Sequence, residues 1–447
     1  MGLQEFVSQN AREHGVPGMA VGVLADGAEE YAVHGVTSVD NPLPVDRDTL
    51  FKLGSVTKTF TATALVRLAE QGRVDLAAPV RAYVPELALP DERAAAAITV
   101  AQLLNHTAGL DWNVIADNGD GDDALARFVA GLAGVNLVAE PGARASYSQA
   151  GYNLAGRVIE KVTGLTFERA VADLLLDPIG LRTTFFSPDD VMTRRFTVGH
   201  NLAEDGTASV TRPWRPAGRG NNPGGGLASS VADQLRWAAF HLGDGAGLLP
   251  AETLHGMRRP TVPLRGTSLG DALGICWFLR EIDGVATIGH GGSAMGQFAD
   301  LLLVPERGFA VIAVSNANPT GTPCNQAAIR WALEHYLGVV ERDPQPEPYD
   351  PARALEVSGG YGNDAMTLTI ATDGAGLTLD VRIRPQIRAA AKTELPADHE
   401  PAPIGLLAGD DYVVTAGGLK GQRGFFTRDA SGAVTGVDLA GRLFTRA

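Results

Sequence analysis

Phe51-Lys52-Leu53-Gly54-Ser55-Val56-Thr57-Lys58-Thr59-Phe60 sets a serine directly after a glycine at the head of an apolar run, with a lysine three residues on. Phe60, Ala64, Leu65 and Leu68 continue the run at helical spacing and Gly72 follows as a stop, which predicts a helix from Ser55 to about Gln71. Residues three apart on a helix share a face. Ser55 and Lys58 therefore stand side by side near a helix N-terminus, where free backbone N–H groups favour negative charge. A hydroxyl beside an amine is one way to build a nucleophile with its base. A capping serine beside a surface lysine is the plainer reading of the same residues, and the stretch alone does not separate the two.

Lysine usage separates them further. Lysine occurs only at positions 52, 58, 161, 392 and 420, so 32 of the 37 basic residues are arginine. Arginine stays charged in a protein, whereas a lysine amine can be tuned into a base. Ser55 is also the only serine with a lysine three residues after it.

Outward from this stretch, 447 residues are enough for two or three domains. A composition of 45% hydrophobic and 20% charged residues is that of an ordinary globular protein. The net charge of −14 and the scattered arginines argue against a nucleic-acid or anionic-membrane surface. No stretch has the length of an uncharged membrane span, and Met1 to His14 carries a helix pattern instead of a signal peptide. The expected location is cytoplasmic. Cys276 and Cys324 make no disulfide framework and read as structural thiols.

Pro17 to Leu24 reads as a buried strand and Glu29 to Val36 as its hairpin partner. Helices are expected from Thr99 through Leu104, over Asp122 to Leu132, over Gln149 to Val162, from Thr166 to Ile179 and over Asp233 to Leu242, with a Gly-, Pro- and Asn-rich loop at Arg215 to Gly226. From Ala272 the period changes to two. Ala272 to Ile282, Val285 to His290, Gln297 to Val304 and Phe309 to Ser315 predict four strands, before a helix over Asn325 to Leu337. Strands at both ends with helices between imply an α+β fold, one antiparallel sheet closed by the two ends with a helical insert against it. That places a catalytic domain over residues 1–343, a proline-rich linker over 344–351 and a C-terminal all-β barrel or sandwich over 352–447.

Two further stretches carry chemistry: Ser146-Tyr147-Ser148-Gln149 at the start of a helix, and His290-Gly291-Gly292-Ser293 on a strand. With Ser55 and Lys58 they resemble the serine beta-lactamase and penicillin-binding-protein superfamily, in its class C-like branch of esterases, D-amino-acid peptidases, amidases and acyltransferases. The Ser-x-x-Lys motif of that branch falls on Ser55 and Lys58, its Tyr-x-Asn on Tyr147 to Gln149, and its third motif on His290 to Gly292. Leu103 to Leu110 and Gly224 to Leu227 are also family-like, and the end of the chain at Gly441 to Arg446 is similar to the lipocalin-like barrel often appended to these enzymes. One position departs from the pattern: Gln149 stands where the family has asparagine.

The resemblance implies an acyl-enzyme on Ser55, with Lys58 and Tyr147 sharing the proton work. It implies an oxyanion hole from the backbone N–H groups of Ser55 and Ser293, and substrate contacts at Gln149, Gly291 and Gly292. His290, in place of the lysine of beta-lactamases proper, would hydrogen-bond and tune Tyr147. No cofactor or metal is implied, and no His-Glu-x-x-His or Cys-x-x-Cys pattern occurs. The expected reaction is hydrolysis of an amide or ester in a small or short-peptide substrate. The alternatives are acyl transfer or peptide cyclisation onto an amine or alcohol, and a catalytically inactive peptide binder.

A rival nucleophile, Ser268, sits in Gly266-Thr267-Ser268-Leu269-Gly270, but the strand-before, helix-after context of a hydrolase elbow is not expected around it. His106 reads as structural. Trp112 and Trp214 lie in loops that could border a cleft.

Overall fold

The computed structural model describes residues 1–110, 117–212, 214, 218–390, 398 and 400–447. Its centre is an eight-stranded antiparallel sheet. The order runs Ala28–Gly35, Gly18–Ala25, Phe309–Ser315, Gln297–Val304, Val285–Ala294, Phe278–Ile282, Gly270–Leu273, Val262–Thr267. The first strand of the chain lies against the last strand of the sheet in sequence, with Met19 opposite Ser315 and Leu24 opposite Ala310, so the two ends of the segment before the proline-rich linker close one sheet.

Alternation along Phe309–Ser315 shows why this strand is central. Phe309, Val311 and Ala313 face a core shared with the helices Leu3–Glu13 and Gly321–Leu337. Ala310, Ile312 and Val314 face a second, larger core built with the helical insert. A strand covered on both faces has no polar side, and every residue of this one is buried. Inside the larger core runs the helix Thr57–Glu70, in which all but Arg67, Ala69 and Glu70 are buried. Its threonines are accommodated by hydrogen bonds, Thr61 Oγ1 to Pro223 O at 2.7 Å and Thr63 Oγ1 to Thr59 O at 2.7 Å.

The stretch expected as one strand, Ala272 to Ile282, is interrupted. Gly270–Leu273 and Phe278–Ile282 are separate strands, because the chain turns between them at Cys276, which takes φ +74° and buries itself with Trp277 in the larger core. The strand Val262–Thr267, hidden from pattern reading by Pro263, forms the end of the sheet. Of the expected loop at 215–226, residues 215–217 lie outside the described ones. The remainder folds into a turn, Arg219–Asn221, and a short helix, Asn222–Gly225, whose Asn222, Pro223 and Gly224 are buried.

The C-terminal segment is a closed eight-stranded barrel, from Gly359–Gly362 to Arg442–Arg446, sealed by pairing of its first and last strands at Tyr361 and Arg446. Closure removes exposed strand edges. Tyr361, Leu368, Tyr412, Phe426 and Phe444 fill its interior. Three of its strands, Gly359–Gly362, Ala402–Leu406 and Arg442–Arg446, were not expected individually, being short and glycine- or arginine-containing. The barrel meets the end of the sheet. Arg265 pairs with Asp410 at 3.5 Å and Asp411 at 3.4 Å, and Ser268 Oγ donates to Gln422 Oε1 at 2.6 Å. Among the described residues no helix is long and apolar enough to cross a membrane, and no group of three or more His, Cys, Asp or Glu side chains is arranged to hold a metal ion.

Candidate active site

Ser55 lies in a single 3-10 turn, Gly54–Val56, that leads into the helix Thr57–Glu70. The turn is pressed against the strand Val285–Ala294. A Cβ on Gly54, which takes φ +50°, would come within 2.5 Å of Ser293 N, and one on Gly292 within 2.1 Å of Leu53 O and 2.6 Å of Ser55 N. Only glycine permits this backbone contact. It gathers the main-chain nitrogens of Ser55 and Ser293 at one seam beside the serine hydroxyl.

Lys58 is wholly buried one turn along. Its Nζ donates to Ser55 Oγ at 3.1 Å, to Gln149 Oε1 at 2.7 Å and to Gly224 O at 2.7 Å. Desolvation disfavours the ammonium form and, with a smaller push from Arg442, brings the lysine down to about 7. The three oxygens fix where the amine points, and the low pKa leaves it able to take a proton near neutrality.

Gln149, the first residue of the helix Gln149–Thr163, turns its amide inward. While its oxygen holds Lys58, its Nε2 donates to Asn153 Oδ1 at 3.2 Å and Asn221 O at 3.4 Å. The resemblance implied a substrate contact here. Within the protein its amide lies between the lysine and a layer of asparagines. Gly224 makes the room, since a Cβ on it would lie 2.0 Å from Gln149 Nε2.

Tyr147 stands across from the serine, its ring centre 5.0 Å from Lys58 Nζ and 4.4 Å from the His106 ring. Burial raises its phenol well above the usual tyrosine range, with a hydrogen bond to Ser55 and the charge of Arg442 pulling the other way. The group is a protonated phenol at neutral pH. His106, at φ +59°, accepts from Ser148 N through Nδ1 at 3.0 Å and so fixes the segment carrying Tyr147.

His290 sits on Val285–Ala294 just beyond Gly289, where pairing with Phe278–Ile282 ends at Phe278. From His290 onward the strand pairs only on its other side, to Ala294 opposite Gln297, which leaves a free edge along Gly291 and Gly292. The implied hydrogen bond between His290 and Tyr147 does not form. Their ring centres are 6.3 Å apart, and His290 Nδ1 engages Gly291 O at 2.7 Å. Its Nε2 is buried without a hydrogen-bond partner, and burial, with the nearby Lys58, lowers the imidazole to about 3, so the ring is neutral. A cleft of about 380 Å³ runs along this edge, lined by Ser55, Tyr147, His290, Gly292 and Ser293, and by Arg442 from the barrel.

Ser268 lines the same cleft from the hairpin between Val262–Thr267 and Gly270–Leu273. A strand does precede it, contrary to the sequence expectation, but a strand and no helix follows. Trp214 packs on Lys52, with Nζ 4.3 Å from its ring, and is not among the cleft-lining residues; Trp112 lies outside the described residues. Sequence reading passed over Arg442, whose only signal was its place in a barrel-like ending, and over the carbonyl of Gly224, which no side-chain pattern can announce.

The beta-lactamase family model matches residues 3–335. The chain belongs to that family. A curated relative, penicillin-binding protein 4 of Amycolatopsis lactamdurans, is 34% identical over 363 residues, 79% of this chain and 94% of the relative. Among solved structures, SurE with D-Leu superposes with a TM-score of 0.74 at 26% identity, covering 100% of this chain and 98% of that one. The octameric penicillin-binding protein homologue from Pyrococcus abyssi superposes with a TM-score of 0.65 at 23% identity, covering 99% of each chain, and shares the fold.

Proposed function

We propose that this member of the beta-lactamase family is a serine acyl-enzyme hydrolase acting on an ester or amide of a short, D-amino-acid-containing peptide. One observation carries the reading: a buried amine with a pKa of about 7 stands 3.1 Å from the Ser55 hydroxyl. Ser55 Oγ attacks the carbonyl carbon and passes its proton to neutral Lys58. The carbonyl oxygen gains charge beside the backbone N–H groups of Ser55 and Ser293, each such donor being worth about 3 kcal/mol. The bond to the leaving group breaks as Tyr147 gives that group its proton and is reprotonated from Lys58. Water then enters where the leaving group departed and reverses the steps. The raised phenol of Tyr147 favours the lysine as the acylation base over a tyrosinate.

The D-amino-acid preference rests on the likeness to SurE with D-Leu and to penicillin-binding proteins. Intact-protein mass spectrometry after exposure to a fluorophosphonate and to a D-amino-acid ester tests the mechanism, with a Ser55→Ala control. A Ser55-bound adduct that turns over is the expected result. No adduct in the unaltered protein would favour an inactive peptide binder. Appearance of an amide product on adding an amine would favour acyl transfer or cyclisation through the same intermediate.

A further inference from the structure

The cleft beside Ser55 does not end at the strand Val285–Ala294 but continues around its free edge onto the other face of the sheet. Side chains alternate across a strand, and two neighbouring glycines mark the two faces. A Cβ on Gly292 would meet Ser55 N at 2.6 Å, whereas one on Gly291 would meet Asp300 Oδ1 at 2.8 Å. On the serine's side the barrel borders the cleft, where its turn at Ala440 and Gly441 accepts Tyr147 N through Gly441 O at 3.0 Å. On the far side the lining includes Asp300, Thr322 and Gln326 of the helix Gly321–Leu337, and Arg280 and Arg330.

The charges of this far lobe are unevenly matched. Arg280 and Arg330 share Glu341, at 2.6 and 3.4 Å, and Arg330 also holds Asp343 at 2.6 Å. Asp300 is half-buried on the strand Gln297–Val304, directly opposite Gly291. Its Oδ2 accepts from Asn325 Nδ2 at 3.1 Å, and among the described residues no cation pairs with it. Asn325 is wholly buried, so that oxygen is fixed and Oδ1 faces the space over Gly291. Burial raises the carboxyl to about 7, against the pull of Asn325. Gly291 has no left-handed φ that would demand glycine, so its missing side chain serves to uncover Asp300.

We propose that Asp300 is a specificity residue, binding an ammonium group that the substrate carries around the glycine edge of the strand. A carboxylate drawn partly out of water without a counter-charge is unfavourable, and an ammonium held against Oδ1 offsets that cost. The contact is a charge-assisted hydrogen bond, the stronger kind. The other acids lining the cleft, Glu341 and Asp343, are committed to Arg280 and Arg330, which leaves Asp300 to take the partner. This inference rests on the acyl-enzyme reading above and adds a chemical feature of the substrate.

The ammonium can belong to the acyl half or to the leaving half, and two pairs of N-acetylated D-peptides separate these. Each pair compares D-ornithine with D-norvaline, which lacks the terminal amine. In one pair that residue supplies the carbonyl attacked by Ser55, and in the other it departs from a D-alanyl carbonyl. Rates are compared at pH 8, where Asp300 is ionised. The unaltered protein is expected to favour ornithine in one pair roughly tenfold to a hundredfold in kcat/KM, chiefly through KM. Asp300→Asn, which keeps an oxygen for Asn325, should remove that preference. Gly291→Ala, whose methyl covers Oδ1, should weaken it, and a fluorophosphonate adduct on Ser55 shows that each variant keeps its site. No preference in either pair overturns the assignment. So does a preference that survives Asp300→Asn, even with equal slowing of both substrates, since the residue would then only brace the strand. Absence of an adduct on the unaltered protein would overturn the acyl-enzyme reading and this inference with it, whereas an adduct without an ornithine preference overturns this inference alone.

Discussion

Gln149 Oε1 lies 2.7 Å from Lys58 Nζ, and the space for that side chain exists because residue 224 has no Cβ. The two positions act as one unit. Gln149→Leu removes an acceptor from a buried amine, a bond to a charged group worth about 1.5–3 kcal/mol, and is expected to lower kcat/KM roughly tenfold to a hundredfold. Loss of the acceptor also disfavours the ammonium, so the acid limb of the pH profile should move to lower pH. Gly224→Ala drives its methyl into the amide and should be comparably damaging. Combining it with Gln149→Asn, one methylene shorter, should restore part of the activity. Additive losses in the double variant would show that the two sites are not coupled.

Lys58 gives a stability prediction opposite in sign to its activity. Its folded pKa of about 7 lies below its ordinary value of 10.5, so between these pH values the unfolded chain holds a proton that the native protein lacks. Its contribution to stability therefore rises with pH across that window and is least favourable below about 7. Lys58→Met is expected to abolish turnover while raising Tm at pH 7, with an advantage that shrinks toward pH 10. In the same way kcat/KM of the unaltered protein should climb with pH through a midpoint near 7. Parallel melting curves for the two proteins at all pH values would contradict the assignment of that proton to Lys58.

The segment before the proline-rich linker was legible because its devices are local. Glycine before serine, lysine at the third position, and an unbroken apolar strand from Phe309 each announce themselves within one element. The failures share a cause, which is dependence on distant backbone. Ala272 to Ile282 alternates like one strand, yet Cys276 is turned aside to hydrogen-bond through its N–H to Leu104 O at 3.1 Å. Gly224 serves through its carbonyl, and Arg442 lines the cleft only because the barrel docks where it does. His290 looked like a tuner of Tyr147, but its Nδ1 is committed to the carbonyl of Gly291, and no sequence pattern reports that commitment.

Ser268 offers a clean contrast with Ser55, since both line one cleft. Its hydroxyl is spent on Gln422 at 2.6 Å, and among the described residues no base is paired with it in the arrangement seen at Ser55. Ser268→Ala should cost about 1 kcal/mol of stability, as one neutral hydrogen bond does, and leave the fluorophosphonate adduct on Ser55 intact. Ser55→Ala should remove the adduct altogether. Loss of labelling in the Ser268 variant alone would reassign the nucleophile.

Asp438 sits beneath the hairpin that carries Arg442, and its carboxyl is raised to about 8, burial outweighing the Gly441 N–H and the charges of Arg442 and Arg144. Between the ordinary value of 3.8 and about 8 the native protein keeps a proton that the unfolded chain has released. This group's contribution to stability is therefore whole below about pH 4 and is lost as pH rises through 8. Asp438→Asn fixes the neutral form and keeps an oxygen for the Gly441 N–H. It is expected to melt with the unaltered protein at pH 4 and above it at pH 8 to 9, an offset that thermal melts across that range would read directly. A variant that melts lower at every pH would mean instead that the ionised carboxylate, attracted by Arg442 and Arg144, is what holds the turn against Tyr147.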